Sequence, residues 1–182
     1  MDSLCQRTVL HYAFYYRLDA TVAILIWHTD DVGSSPDRFE TLDPYFVACF
    51  PDRITLLRFA ETNIMGTIVD DDPVVVDLDA ALEWAMNPVS TTEHCHNALG
   101  VWNLFIDLCA TLPDKLGTLK TDIDNALEIE QKLFFGSNLP SITPEGEYYK
   151  PHWETEDKTI LRLVFANGTE ALRQSVKRPT MA

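Results

Sequence analysis

The feature that most constrains this chain is an apolar stripe between residues 90 and 113. Its members recur every three or four positions: Cys95, Leu99, Trp102, Ile106 and Cys109. That spacing is typical of one face of an α-helix. Ser90 and Glu93 have the pattern of a capping box, which predicts the start of this helix, and Pro113 predicts its end. Whatever fold the chain adopts must bury one side of a long helix here, with Asn103 and Asp107 on the opposite side.

The residues before this helix favour β-structure. Residues 9–16 are rich in aromatic side chains and residues 21–27 in β-branched ones, and a short turn at residues 18–20 would join them as a hairpin. Residues 53–59 and 64–69 predict further strands. A helix over the first two segments stays open as an alternative, because short apolar runs do not decide between the two periodicities.

The remaining residues favour helices. Asp77 to Met86 predicts a short helix, and Asp122 to Phe134 predicts another with Ile123, Leu127 and Leu133 facing inward. Several prolines and glycines predict an irregular loop over residues 137–151. The last helix begins near Thr155, and Asn167-Gly168 is expected to interrupt it.

These segments predict an α+β fold in which a strand-rich N-terminal third packs on a mainly helical C-terminal part. With 182 residues, the chain has the length of a single domain. We expect one domain over residues 1–182, strand-rich over 1–70 and mainly helical over 77–178, with a loop at 137–153.

The charge of the chain is unusually negative. Its formal net charge is −14, whereas a net charge of magnitude about 2 to 8 is enough to keep a small domain soluble. No Lys or Arg occurs between Arg58 and Lys115, and this interval contains ten acidic residues. A face of one sign attracts an oppositely charged partner and speeds its association. We therefore expect a basic protein partner, docked on the acids of residues 70–83: Asp70, Asp71, Asp72, Asp77, Asp79 and Glu83.

The same charge disfavours several other partners. Phosphates of a nucleic acid and anionic lipids would both be repelled, so neither is expected to bind. The N-terminus lacks the pattern of a signal peptide. The four cysteines form no C-x-x-C pair, which favours free thiols in a reducing compartment. We expect a cytoplasmic protein.

No segment predicts catalysis or a cofactor. His94, Cys95 and His96 are consecutive, so on a helix they point in different directions and do not converge on a metal ion. Asp70 to Asp79 could supply carboxylates to Mg²⁺, but the pattern of a calcium-binding loop is missing. A phosphate-binding glycine loop and a nucleophile elbow are also missing. We therefore expect a binding protein rather than an enzyme.

Two segments carry a resemblance to a known group of proteins. Residues 99–108 (LGVWNLFIDL) and residues 133–149, which include LFFGSNLP and TPEGEYY, resemble parts of small acidic immunity proteins, which bacteria encode beside interbacterial toxins. The resemblance implies a cytoplasmic inhibitor that covers the active site of a basic toxin enzyme.

Aromatic and polar residues in or near these segments would anchor the toxin, because aromatic side chains are enriched at binding hot spots. The expected anchors are Asn103, Asp107, Tyr148, Tyr149 and Trp153; Trp153 or one of the tyrosines could instead pin the loop to the core. Two alternatives stay open: a mimic of nucleic acid that inhibits a nuclease, and a metal-dependent hydrolase using Asp70 to Asp79.

Overall fold

A long β-hairpin forms the centre of the protein. The computed structural model describes residues 9–30, 35–64, 66–70 and 74–180. Strands β1 (Val9–Leu18) and β2 (Thr21–Asp30) pair antiparallel along their whole length. Asp19 and Ala20 join them with positive φ angles of 52° and 57°, the geometry of a two-residue hairpin turn. The predicted hairpin is therefore confirmed over these residues, and the helical alternative is wrong.

Three short strands extend the hairpin into a five-stranded sheet. β3 (Arg38–Phe39) pairs antiparallel with β2. On the far side of β1, β6 (Ile68–Val69) and β7 (Val75–Asp77) pair with β1 in parallel.

A separate three-stranded sheet is formed by β4 (Thr41–Asp43), β5 (Phe46–Ala48) and the C-terminal strand, Val176–Lys177. Counted in chain order, the C-terminal strand is β8.

Six helices complete the described part of the chain: α1 (Arg53–Asn63), α2 (Leu78–Met86), α3 (Thr92–Thr111), α4 (Gly117–Asp124), α5 (Leu127–Gly136) and α6 (Thr155–Ser175). Five of them follow the strands of the N-terminal part. The predicted α+β class, with strands first and helices after, is confirmed.

The central sheet separates two apolar cores, because successive side chains of a strand point to opposite faces. Tyr16 and Leu25 face the larger core, which contains α2, α3 and α6. Ile24 and Ile26 face a smaller core against Leu56 of α1. Both faces of the hairpin are thus covered, which fits its nearly continuous apolar sequence.

Helix α3 lies at the heart of the larger core. Trp102 and Phe105 are fully buried, and their rings lie 6.2 Å and 6.0 Å from the ring of Phe165 in α6. Gly168 allows this approach: a Cβ atom there would lie 2.5 Å from the Phe105 ring. The apolar stripe predicted from the sequence is therefore core, as expected.

Two sequence predictions about single elements are wrong. Residues 53–59 form the first part of α1 and not a strand: the Asp52 carboxylate caps that helix by accepting the Thr55 N–H at 2.8 Å. The buried side chains of α1 are Leu56 and Ala60, four residues apart, which is a helical spacing. Among the described residues of the predicted strand at 64–69, Ile68 and Val69 are the ones in a strand.

Three helix predictions also need correction. The cap of α3 is Thr91, whereas the Ser90 hydroxyl donates to the carbonyl of Pro151. The predicted helix 122–134 is divided between α4 and α5, and Leu127 is 57% exposed instead of facing inward. Helix α6 runs through Asn167-Gly168 without interruption, because close packing on Phe105, and not a turn, accounts for the glycine.

Cys49, Cys95 and Cys109 are buried free thiols, while Cys5 lies outside the described residues. None of the described helices combines the length and the apolar character needed to cross a membrane.

Replacing Trp102 tests the central packing. Trp102→Ala should lower the free energy of unfolding by about 3–5 kcal/mol, since it leaves a large cavity. Trp102→Phe should cost less than half as much, because among the described atoms the indole N–H has no hydrogen-bond partner to lose. Urea unfolding measures both values. Leu163→Ala, at a position 50% exposed, is the control; an equally small effect of Trp102→Ala would contradict this packing.

Candidate partner-binding surface

The acids predicted to dock a partner are largely engaged within the protein. Asp70 Oδ1 accepts a hydrogen bond from the Tyr15 hydroxyl at 2.9 Å, and Oδ2 pairs with Arg53. The Asp70 side chain is only 7% exposed, so its predicted place on an exposed docking edge is wrong. Asp71 and Asp72 lie outside the described residues.

Asp77 and Asp79 hold local structure together. Asp77 caps α2 by accepting the Ala80 N–H at 2.9 Å, and it pairs with Arg17 at 2.7 Å. Asp79 accepts the backbone N–H groups of both hairpin-turn residues, Asp19 and Ala20, at 2.9 and 2.8 Å. Both carboxylates therefore already have partners inside the fold.

Glu83 differs from its neighbours in this segment. Its side chain is exposed, and it has no ion pair within the described part of the chain. Four acids of the predicted docking edge are among the described residues, and of these Glu83 has the carboxylate that remains available to a partner.

Asn103 and Asp107 share one side of α3 but have different environments. Asn103 is exposed. Asp107 is largely buried and accepts the indole N–H of Trp27 at 3.0 Å. Burial raises the pKa of Asp107 to about 7, although the Trp27 hydrogen bond opposes this effect. Asp107 therefore supports Trp27 and is poorly placed to anchor a partner.

The loop over residues 137–151 is irregular, as predicted, but well held at both ends. The Asn138 side-chain amide accepts the Tyr149 N–H at 2.8 Å and donates to the Tyr149 carbonyl at 3.0 Å. These are the bonds that a neighbouring strand would make. Trp153 is buried, with its ring 5.5 Å from that of Trp84. It pins the loop to the core, and its predicted role as an exposed anchor is wrong.

An exposed aromatic cluster lies where α5 meets this loop. The ring centres of Phe134 and Phe135 are 5.4 Å apart, and Phe135 lies 6.1 Å from Tyr149. Phe135 is 51% exposed, Tyr149 44% and the adjacent Tyr148 66%. We call Phe134, Phe135, Tyr148 and Tyr149 the aromatic patch. The structure brings the predicted anchor Tyr149 together with two phenylalanines that the sequence analysis did not select, and Tyr148 is its exposed neighbour in the chain.

A sequence signal for these phenylalanines did exist. Leu133, Phe134 and Phe135 are consecutive on a helix, so they cannot all face one core. Leu133 is fully buried, whereas its two neighbours are not.

Exposed carboxylates lie close in sequence to the aromatic patch. Glu128, near the start of α5, is exposed, as are Glu145 and Glu147 in the loop. Lys150 is an exposed cation in the same segment, whereas the Lys132 ammonium is paired with Asp157 at 2.6 Å. The patch therefore combines apolar rings with a surplus of negative charge.

A groove of ≈ 800 Å³ lies on the other side of Asn138. Its apolar walls include Val74 and Val76 before α2 and Leu139 in the loop, and its floor includes His96 and Gly100 of α3. Asn138 lines this groove and also bonds Tyr149 of the aromatic patch. The groove and the patch are therefore neighbouring surfaces.

The described residues offer little to a catalytic interpretation. No three of their His, Cys, Asp or Glu side chains are grouped so as to hold a metal ion. Cys95 is buried, and burial raises its pKa to about 11, so it is not a thiolate nucleophile at neutral pH. His28 Nε2 lies 2.9 Å from Glu40, and His28 Nδ1 lies 2.7 Å from Nδ1 of His11.

The titration of Asp107 gives a first test. In the unfolded protein the Asp107 carboxyl ionises near its ordinary pKa of about 3.9. In the folded protein its pKa is about 7, so the carboxyl stays protonated to a higher pH. The free energy of unfolding therefore falls as the pH rises from about 4 to about 7. Asp107→Asn keeps an oxygen acceptor for Trp27, so it should be more stable than the wild type by up to about 4 kcal/mol near pH 8 and similar to it near pH 4.

Urea unfolding at the two pH values measures this difference, with Asp114→Asn, at an exposed acid, as the control. A difference of equal size at both pH values would mean that folding does not change the pKa of Asp107, and it would contradict the raised pKa.

The role of Asn138 can be tested in the same way. Asn138→Ala removes both bonds to Tyr149, and it places alanine at a positive φ of 46°. We expect a loss of about 2–3 kcal/mol in the free energy of unfolding and faster amide hydrogen exchange across residues 139–149. Asn103→Ala, at an exposed position, should change neither. Unchanged exchange in the loop would show that other contacts hold it.

Comparisons with known proteins do not identify a relative. No protein-family model, no curated protein and no solved structure matches this chain. The resemblance of residues 99–108 and 133–149 to immunity proteins therefore stays a prediction, and the surface described above carries the functional proposal.

Proposed function

We propose that this protein binds a basic protein partner and neutralises it, in the manner of an immunity protein that covers the active site of a toxin enzyme. The observation that carries the proposal is the aromatic patch, together with the exposed carboxylates close to it in sequence. Exposed aromatic side chains in mutual contact are uncommon on a surface that serves only solubility. Binding hot spots, by contrast, are enriched in aromatic residues.

The aromatic rings and the carboxylates would contribute to different stages of binding. Phe135 and Tyr149 lose exposed apolar area when a partner covers them, which slows dissociation. Glu128, Glu145 and Glu147, together with the net charge of −14, attract Lys and Arg side chains over a distance and speed association. A tight inhibitor of an enzyme benefits from both effects.

The patch also has a rigid support. The tyrosines of the patch belong to a loop that Asn138 and Trp153 hold in place. Its phenylalanines lie on α5, whose other side is buried. A surface that is already ordered loses little conformational entropy on binding. This favours a preformed recognition surface.

The two alternatives find less support. A nucleic-acid mimic needs free carboxylates in a regular row, whereas Asp70, Asp77 and Asp79 are bonded within the fold. A metal-dependent hydrolase needs converging ligands, and the described residues offer no such group. Action on a toxin inside the producing cell would require the protein to be cytoplasmic, and this location belongs to the proposal.

The partner and the patch can be tested together. The tagged protein is used at low salt to capture partners from its source cells, and the captured protein is then purified and mixed with it. We expect a basic enzyme that binds in equal stoichiometry and is inhibited. Phe135→Ala and Tyr149→Ala should each weaken binding by about 2 kcal/mol, roughly thirtyfold, mainly through faster dissociation.

The double variant Glu145→Gln/Glu147→Gln should slow association at low salt and have little effect at high salt. Tyr45→Ala and the double variant Glu61→Gln/Asp114→Asn are the matched controls, since these positions are exposed and outside the patch. Equal binding by all variants would exclude the patch as the docking surface. Failure to recover any basic enzyme that the protein inhibits would overturn the proposed function.

A further inference from the structure

A second surface has the opposite charge. A cavity of ≈ 620 Å³ lies between α1, β4 and the residues that follow α6. Three cations line it: Arg58 of α1, Lys177 of β8 and the adjacent Arg178. In a chain with a net charge of −14, three cations around one cavity require a physical account.

The cations of this cavity are not neutralised by ion pairs. Throughout the described part of the chain, no carboxylate lies within ion-pair distance of Arg58, Lys177 or Arg178. The ammonium of Lys177 lies 5.2 Å from the ring centre of Phe46, a contact that leaves its charge in place. Arg53 and Arg173, by contrast, are paired with acids.

Other cavity residues add an apolar wall and neutral polar groups. Leu42, Phe59 and Pro179 supply apolar surface, and the Phe59 ring is supported by Phe50 at 5.1 Å. Thr62 and Asn63 add neutral polar groups at the end of α1. Among the described residues, none of those that line the cavity is acidic.

The positive region continues beyond this cavity. Lys177 and Arg178 also line an adjoining cavity of ≈ 300 Å³, together with Arg173 and the buried Tyr16 and Cys49. There Arg173 is held by Asp19 at 2.7 Å. The two cavities share Lys177 and Arg178. The smaller cavity adds Arg173, which is paired with Asp19, whereas the larger one adds Arg58.

We propose that the larger cavity binds a small phosphorylated molecule with a planar apolar body, of the nucleotide class. Arg side chains bind phosphate oxygens through charge-assisted hydrogen bonds, and an aromatic wall such as Phe59 accepts a planar ring by stacking. The volume is within the usual range of ligand sites, about 300–1,000 Å³. A long nucleic acid is disfavoured because the acidic remainder of the protein would repel its further phosphates.

Titration calorimetry with ATP, pyrophosphate and adenosine tests the proposal on the full chain. We expect ATP to bind with a stoichiometry of one, pyrophosphate to bind more weakly, and adenosine to bind weakest. Arg58→Gln and Arg178→Gln should each weaken ATP binding about tenfold or more and reduce its salt dependence. Phe59→Leu should weaken ATP binding while leaving pyrophosphate binding unchanged.

Arg162→Gln is the matched control, because Arg162 is exposed on α6 and does not line the cavity. Absence of saturable binding of ATP and pyrophosphate at low ionic strength would overturn the proposal, as would binding that the cavity variants do not weaken. Equal affinity for ATP and adenosine would also overturn it, since the cations would then contribute nothing. Binding to the basic protein partner should be unaffected by these variants, so each proposal can fail without the other.

Discussion

The tip of the β1–β2 hairpin is the constraint on which much of this structure depends. Asp19 and Ala20 adopt the left-handed backbone conformation, which costs an L-residue about 1–2 kcal/mol. Asp79 offsets this cost by accepting both of their N–H groups, and Arg173 pairs with the Asp19 carboxylate. Helices α2 and α6 thus hold a turn that neither of them adjoins in sequence. Because the turn sets the strand register, it also decides which side chains of the hairpin face each core.

This arrangement explains what most of the acidic run 70–79 does. Asp70, Asp77 and Asp79 bond to β1 or to the turn that follows it. Three of the acids that first indicate a docking edge bond instead to the Tyr15 hydroxyl, the Arg17 guanidinium and the backbone N–H groups of the hairpin turn. The proposed recognition surface is a different one, formed by the aromatic rings on α5 and in the loop.

Most of the fold could be predicted from local pattern. The stripe of α3, the hairpin, the short helix that ends at Met86 and the irregular loop all follow from spacing or turn chemistry within a few residues. The errors arise where distant contacts decide. Gly168 resembles a helix breaker until Phe105, 63 positions earlier in the sequence, is packed against it. The strand predicted at residues 53–59 is a different kind of error, because its signal is local: the Asp52 carboxylate caps this segment as a helix.

The candidate site was less predictable for the same reason. Tyr148 and Tyr149 could be selected because a loop with aromatic residues is often functional. The inward direction of Asp70 could not be foreseen, since its partner Tyr15 is 55 residues away. Charge and aromatic content can be counted in a sequence, but the direction in which a side chain points depends on tertiary packing.

The Asn97 side chain has a further consequence. Its amide accepts the Asp77 N–H at 2.9 Å and donates to the Asp77 carbonyl at 2.8 Å. Strand β7 lies beyond β1, away from the hairpin, so these two backbone groups are the ones that another copy of the chain would need in order to extend the sheet. An intramolecular amide already occupies them. The Asp77 backbone groups are thereby blocked from pairing with the sheet edge of another copy. Such edge-to-edge association becomes more frequent as the protein concentration rises. Charge repulsion between copies opposes it less well in concentrated salt.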